Sequence, residues 1–205
     1  MSFYGDAPAE LIYAMPGVGG AVSATISTGT AAAGPQLGGG GANSTTIPAC
    51  ELPHNYFSKV GKSILIEGGG IFATAASGNG NMNFGMYYDN AIGGSSGLTL
   101  IAKTGAFAQV ASVTGNWYFR LLVTCTATGS SGTLQAIGVL NWGPNALTVS
   151  TANTNTYLLG ASSTTPVSFN TVQSTPVYLE PLAFYSATTT AQTITMTNMF
   201  VWGLN

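Results

Sequence analysis

Residues 116–129, NWYFRLLVTCTATG, alternate between two kinds of side chain with a period of two. Trp117, Phe119, Leu121, Val123 and Cys125 fall on one side of an extended chain; Tyr118, Arg120, Leu122, Thr124 and Thr126 fall on the other. One side is wholly apolar and the other mixed, so this stretch requires a second layer to cover the apolar side, as in a sandwich. The same period recurs in NMNFGMYYD (81–89), which lines up Met82, Phe84, Met86 and Tyr88. In TITMTNMFVWGLN (193–205) strict alternation groups Ile194, Met196, Phe200, Trp202 and Leu204, with Asn198 as a polar intruder. PVYLEPLAFYSA (176–187) is also strand-like; Pro181 lacks a ladder donor and implies an edge or a bulge.

Between these runs lie SGNGN, GGSSG, TGSSG and TTTAQ, all turn chemistry. No stretch joins an apolar period of 3.6 to charged flanks and caps, and no fixed-period repeat is present. The expectation is an all-β chain of about 8–10 antiparallel strands. The segment 144–175 reads as a long connection, which suits Greek keys better than a meander, and two Greek keys make a jelly-roll β-sandwich.

Residues 1–45 differ from the rest. After Met15 they are rich in Gly, Ala, Ser and Thr and poor in bulky side chains. They read as an extended N-terminal arm preceding a sandwich domain at 46–205. Within the arm, Leu11, Ile12, Tyr13 and Met15 form an apolar cluster, expected to lie on a neighbouring subunit or partner.

Charge narrows function further. Only 5% of residues are charged, against roughly 25% in ordinary soluble domains. A formal net charge of -2 offers no basic surface for phosphates, so nucleic acid is not an expected partner. The hydrophobic fraction of 45% argues against disorder. A surface so weakly charged is usually hidden in an assembly, which implies an oligomer. No run of about 18 apolar residues exists, so no membrane-spanning helix is expected. The start MSFYGDAPAELIYAMPG carries Asp6 and Glu10 where a secretory signal has basic residues, which implies synthesis in a cytoplasm.

Candidate sites are few. Gly61-Lys62-Ser63 resembles the end of a phosphate-binding loop, but that loop needs glycine at position 56, where Tyr56 stands, and a helix where ILIEGGGIFAT follows. The tripeptide is expected to be a rim turn feeding a strand that starts near Ser63. Cys50 and His54 have a metal-like separation that Cys125 could join, yet no second Cys or His pair completes a zinc site. The cysteines are expected as buried thiols rather than a bridge. His54 is the one histidine and no nucleophile elbow accompanies it. Glu51, Glu67, Asp89 and Glu180 are scattered singly, although two could meet in space as an acid–base pair. Tyr87, Tyr88, Tyr118 and Trp142 could stack on sugars, but packing in a core or subunit interface is the plainer use. No catalytic, cofactor-binding or metal-binding residue is expected.

Four segments together carry a resemblance: LPHNYFSKVGKSILIEGGGIFAT (52–74), NFGMYYDN (83–90), NWYFRLLVTCTATGSSGTLQAIGVL (116–140) and TITMTNMFVWGLN (193–205). In sequence they resemble the jelly-roll modules of tailed-bacteriophage virion proteins, over about residues 45–205. The resemblance implies a non-enzymatic virion structural protein made in the host cytoplasm, commonly a homotrimer, and brings no catalytic residues. A single module with a sticky arm and no long shaft fits a capsid decoration (cement) or minor capsid protein on the capsid surface. Its partners would be the major capsid protein and copies of itself. The alternative is a tail-tip or fibre-knob domain that binds host glycans.

Overall fold

The computed structural model describes residues 9–14, 22–26, 50–53, 55–76, 81–90, 98–144, 155–160, 166–172, 174–185 and 192–204. These residues form strands and turns, with no helix among them. The strands are β1 (Glu10–Ala14), β2 (Val22–Ile26), β3 (Cys50–Leu52), β4 (Ser63–Ala73), β5 (Asn81–Asp89), β6 (Thr99–Lys103) and β7 (Phe107–Ala108). They continue with β8 (Thr114–Ala127), β9 (Thr133–Pro144), β10 (Asn155–Gly160), β11 (Val167–Ser168), β12 (Val177–Tyr185) and β13 (Gln192–Leu204).

Eight of these strands form the framework, and their pairing is nested. β4 pairs with β13, β5 with β12, β6 with β10 and β8 with β9, all antiparallel. The first framework strand therefore meets the last, the second meets the second-last, and so on inward. That wrap is the jelly roll expected for this chain. The short strands β1, β2, β3, β7 and β11 flank it, which takes the described total beyond the framework set.

Hydrogen bonding runs along one path, β1-β13-β4-β8-β9-β10-β6-β5-β12-β3. It folds over where β10 meets β6 through a single register pair, Gly160 opposite Lys103. One layer is thus β1-β13-β4-β8-β9-β10 and the other β6-β5-β12-β3. Between them Phe84 of β5 lies 5.4 Å from Trp117 and 5.0 Å from Phe119 of β8, ring centre to ring centre. Phe107 meets Trp142 of β9 at 5.7 Å and stacks on Tyr157 of β10 at 4.0 Å. The apolar side of β8 is fully inward: Phe119, Leu121, Val123 and Cys125 have no exposure. Such burial contributes about 1.5–3 kcal/mol per large aliphatic or aromatic side chain, enough to fix the register of this strand.

Trp117 also ties the layer together, its indole N–H lying 3.3 Å from the Ile71 carbonyl and 3.2 Å from that of Thr195. Pro181 pairs across from Met86 of β5, while on the other side of β12 strand β3 reaches only Leu179. The proline therefore sits at an edge position, as its missing donor requires. Segment 144–175 is not one long connection: β10 runs along β9 from Asn155 opposite Trp142 to Gly160 opposite Ile137, and β11 pairs with Leu134 and Thr133.

Strict alternation fails in β13, and the failure shapes the molecule. Met196 pairs with Gly70 and Asn198 with Gly69, so Thr197 is an extra residue, a β-bulge. Every side chain after it changes face. Ile194, Met196, Met199 and Val201 point into the core, whereas Phe200 and Trp202 point outward. The grouping of Phe200, Trp202 and Leu204 with Ile194 and Met196 is therefore corrected. The reason lies at Gly203, which faces the core: a Cβ there would sit 2.6 Å from the Tyr56 hydroxyl oxygen and 3.3 Å from Ile12 Cδ1. Without the bulge, Trp202 would occupy that glycine-sized position and Asn198 would be buried opposite Gly68.

Candidate interaction surface

The outward side chains of the larger layer form rows that cross the strands, because paired residues in a ladder point the same way. In one row Leu11 of β1 pairs with Trp202 of β13, Trp202 with Leu65 of β4, Leu65 with Leu122 of β8, and Leu122 with Ile137 of β9. The row ends at Gly160 of β10, opposite Ile137. The next row reads Phe200, Glu67, Arg120, Val139, Leu158 across β13, β4, β8, β9 and β10. A third carries Asn198, Gly69, Tyr118, Asn141 and Thr156. Ile137 is 66% exposed, Leu158 75% and Leu11 47%, so the first two rows present large apolar side chains to solvent. A contiguous exposed apolar patch of this kind marks an interaction surface far more often than a free monomer surface.

One charged pair interrupts the patch. Arg120 Nε lies 3.2 Å from Glu67 Oε1, and the Tyr118 hydroxyl donates to the same oxygen at 2.8 Å. Burial, then the hydrogen bond and the negative charge of Glu67, raise the Tyr118 pKa; Arg120 opposes the rise. Glu67 and Arg120 are the only charged residues among the outward positions of β4, β8, β9 and β13. Their side chains are 26% and 59% exposed, so in the free chain solvent screens the pair to about 0–1 kcal/mol. Face neutrality is its larger effect.

The other sequence candidates fall elsewhere. Gly61-Lys62-Ser63 is a turn: the Lys62 N–H donates to the Lys59 carbonyl at 3.2 Å, and Gly61 has φ 88°. That left-handed φ explains the glycine, and β4 starts at Ser63 as expected. Lys62 Nζ lies 4.2 Å from the centre of the Tyr56 ring, a cation–π contact rather than a phosphate site. Cys50 and Cys125 are buried free thiols. Burial raises the pKa of each, most at Cys50, which makes both poor nucleophiles and ligands. His54 lies outside the described residues. Among the described residues no three His, Cys, Asp or Glu side chains gather as a metal site would need.

The structure does bring two carboxylates near each other. Tyr178 pairs with Asp89 and Glu180 with Tyr87, so Asp89 and Glu180 are diagonal neighbours on one face of β5 and β12. They are 5% and 1% exposed, beside a small apolar cluster of Tyr87 and Leu182 with Leu98 and Leu100. Buried to that degree they are closed to a substrate in this structure. A shallow cleft lies between Leu52–Phe57 and Phe169–Thr171, lined mainly by apolar and amide side chains. Of the arm residues, Leu11 starts the first apolar row, while Ile12 and Tyr13 are half-buried against the core; Met15 lies outside the described residues. Burial, with a smaller part from Cys50, pushes the Tyr13 pKa up to about 12.

The outward row escaped the sequence reading because it depends on the phase of β13. The available signal was Asn198, whose polar side chain at an expected core position marked the slip.

No protein-family model matches the sequence, and no curated protein matches it. Among solved structures, the chain is similar to one of infectious bursal disease virus, strain Gt, at 12% identity and a TM-score of 0.35. That likeness takes in 98% of this chain and 34% of the viral one, so the chain spans about a third of that relative. It is also similar to the CBM2 module of the evolved Dit of Lactobacillus casei BL23 phage J-1, at 9% identity and a TM-score of 0.36, over 96% of each chain.

Proposed function

We propose that this protein is a non-enzymatic structural component of a virion, a capsid decoration (cement) or minor capsid protein that binds the outer shell and stabilises it. The observation that carries the reading is the outward face of the larger layer, with Ile137 and Leu158 largely exposed in a field that holds a single neutralised charge pair. Such a face is costly for a protein that lives alone in solution and normal for one whose surface is covered in an assembly. The four sequence segments that resemble phage jelly-roll modules point the same way. In this reading the sandwich sits on the capsid surface and the N-terminal arm around Met15 reaches the major capsid protein, while Leu11, Ile12 and Tyr13 stay with the sandwich's own sheet.

The test uses purified full-length chain and capsid shells stripped of accessory proteins. Saturable co-sedimentation, together with a higher temperature of shell disruption, is the expected result. Shells that pellet without the protein, at micromolar concentrations and moderate salt, would refute the reading.

A further inference from the structure

We propose that the outward face of the larger layer is a two-fold self-association surface, on which a second copy of this chain packs sheet to sheet. The argument rests on how the rows mirror one another about the line between β4 and β8. Three strands lie on each side of that line: β4, β13 and β1 on one, β8, β9 and β10 on the other. A two-fold axis in the interface, near that line and close to the strand direction, lays each position over its mirror position on the second copy. Glu67 then faces the second copy's Arg120, and Arg120 faces its Glu67, since the two are register partners across the line. Leu65 faces Leu122 in the same way.

Outer positions match by size. Trp202 lies over Ile137, Phe200 over Val139, and Leu11 over Gly160, so a large side chain on one copy meets a smaller one on the other. Gly69 lies over Tyr118, and Asn198 over Asn141, where two amides can exchange hydrogen bonds. A face that is self-complementary in both charge and size suits a closed dimer. A three-fold ring instead needs two different faces that fit each other. Four strands about 4.8 Å apart, with outward residues from Ser63 to Ile71 at about 6.8 Å per pair, flanked by the shorter β1 and β10, cover roughly 700 Å², close to the share of one partner in a standard-sized interface. Aligned packing of two such sheets, about 10 Å apart, is a common geometry.

This inference rests on the reading of the protein as an assembly component, but not on which shell it binds; its test contains no shell, so the two can fail separately. Sedimentation velocity and light scattering of the full chain are expected to give a dimer at about 10–100 μM, a range in which an interface of this class is populated. Glu67→Arg turns the central pair into facing cations and Arg120→Glu into facing anions. Each variant alone is expected to raise the dissociation constant at least about tenfold. Mixed in equal amounts they are expected to form a one-to-one heterodimer, because every facing pair is then opposite in charge. Ile137→Asp, at a position 66% exposed, gives a second route to a folded monomer, with the circular dichroism spectrum unchanged. A wild-type monomer throughout the range, a trimer, variants that dimerise as before, or a mixture that stays monomeric would each overturn the proposal.

Discussion

Deletion of Thr197 removes a residue from the middle of a core strand, yet the ladder predicts a mild effect. Met196 is opposite Gly70 and Asn198 opposite Gly69, so removing Thr197 leaves two residues of β13 against two of β4 and straightens the bulge. Met199 and Val201 remain in the core and Phe200 and Trp202 remain outside. The identifiable loss is the hydrogen bond from Thr197 Oγ1 to the Gly69 carbonyl, 3.2 Å long and partly buried, worth about 1 kcal/mol. Deletion of Asn198, an exposed residue, lets Thr197 take its place and costs about the same. Deletion of Met199 is different. The strand straightens again, but Asn198 now occupies a position with no exposure, where Met199 had been. Losing a buried methionine costs about 2–5 kcal/mol and burying the amide about 1–3 kcal/mol more. Against a total stability of about 5–15 kcal/mol, that deletion leaves a marginal protein.

Urea unfolding followed by tryptophan fluorescence reads all three variants, since Trp117 and Trp142 are buried reporters on β8 and β9. The expected order is two small losses and one large one at adjacent positions. If deletion of Thr197 costs as much as deletion of Met199, the bulge does not set the phase of β13, and the outward face described above falls with it.

Gly203→Ala is expected to cost about 1–3 kcal/mol by overpacking, since its Cβ would lie 2.6 Å from the Tyr56 hydroxyl oxygen. The cost should shrink by at least about 0.5 kcal/mol in a Tyr56→Phe background, as a double-mutant cycle would show. Gly70→Ala would drive its methyl into the Thr195 carbonyl, while Gly105→Ala meets nothing within 4 Å. Thermal melts should separate them, the first strongly destabilised and the second within about 0.5 kcal/mol of wild type. Burial raises the pKa of Cys50, Cys125, Tyr13, Tyr56, Tyr87 and Tyr157 above the ordinary 9.0 of cysteine and 10.0 of tyrosine. The folded state therefore holds protons that the unfolded chain releases first. Their contribution is fully present below pH 9.0, and stability falls as pH rises through 9.0 and 10.0. Urea midpoints measured from neutral pH upward check the sign, and a rise above pH 10.0 would contradict it.

The parts of the fold that were legible in the sequence are those where burial acts on one strand at a time. Trp117 through Cys125 and Met82 through Tyr88 alternate because one face of each strand meets the opposite layer, and nothing outside the strand alters that phase. Local alternation fails in β13 beyond Thr197 because the phase of that strand is set from a distance, by the Tyr56 hydroxyl against Gly203. β10 was hidden inside 144–175 because it is short, and its exposed side carries Leu158 where a polar residue would have made the alternation plain. The approach of Asp89 to Glu180 depends on the register of β5 against β12, which no local pattern encodes. The proposed surface was half legible: scarce charge implied one, while its location waited on the bulge.

The nested pairing also sets an order of events during synthesis. β4 lies between β8 and β13, and the two halves of that neighbourhood are made far apart in time. Until residues 192–204 have left the ribosome, β4 lacks one flank and β1 and β2 have no strand to join. The rows that run through Trp202 and Phe200 do not exist before then. Partly made chains carry Ile137 and Leu158 on β9 and β10 without the β13 half of the face. Emergence of residues 192–204 completes the outward rows, and a chain made only as far as β10 carries half of them.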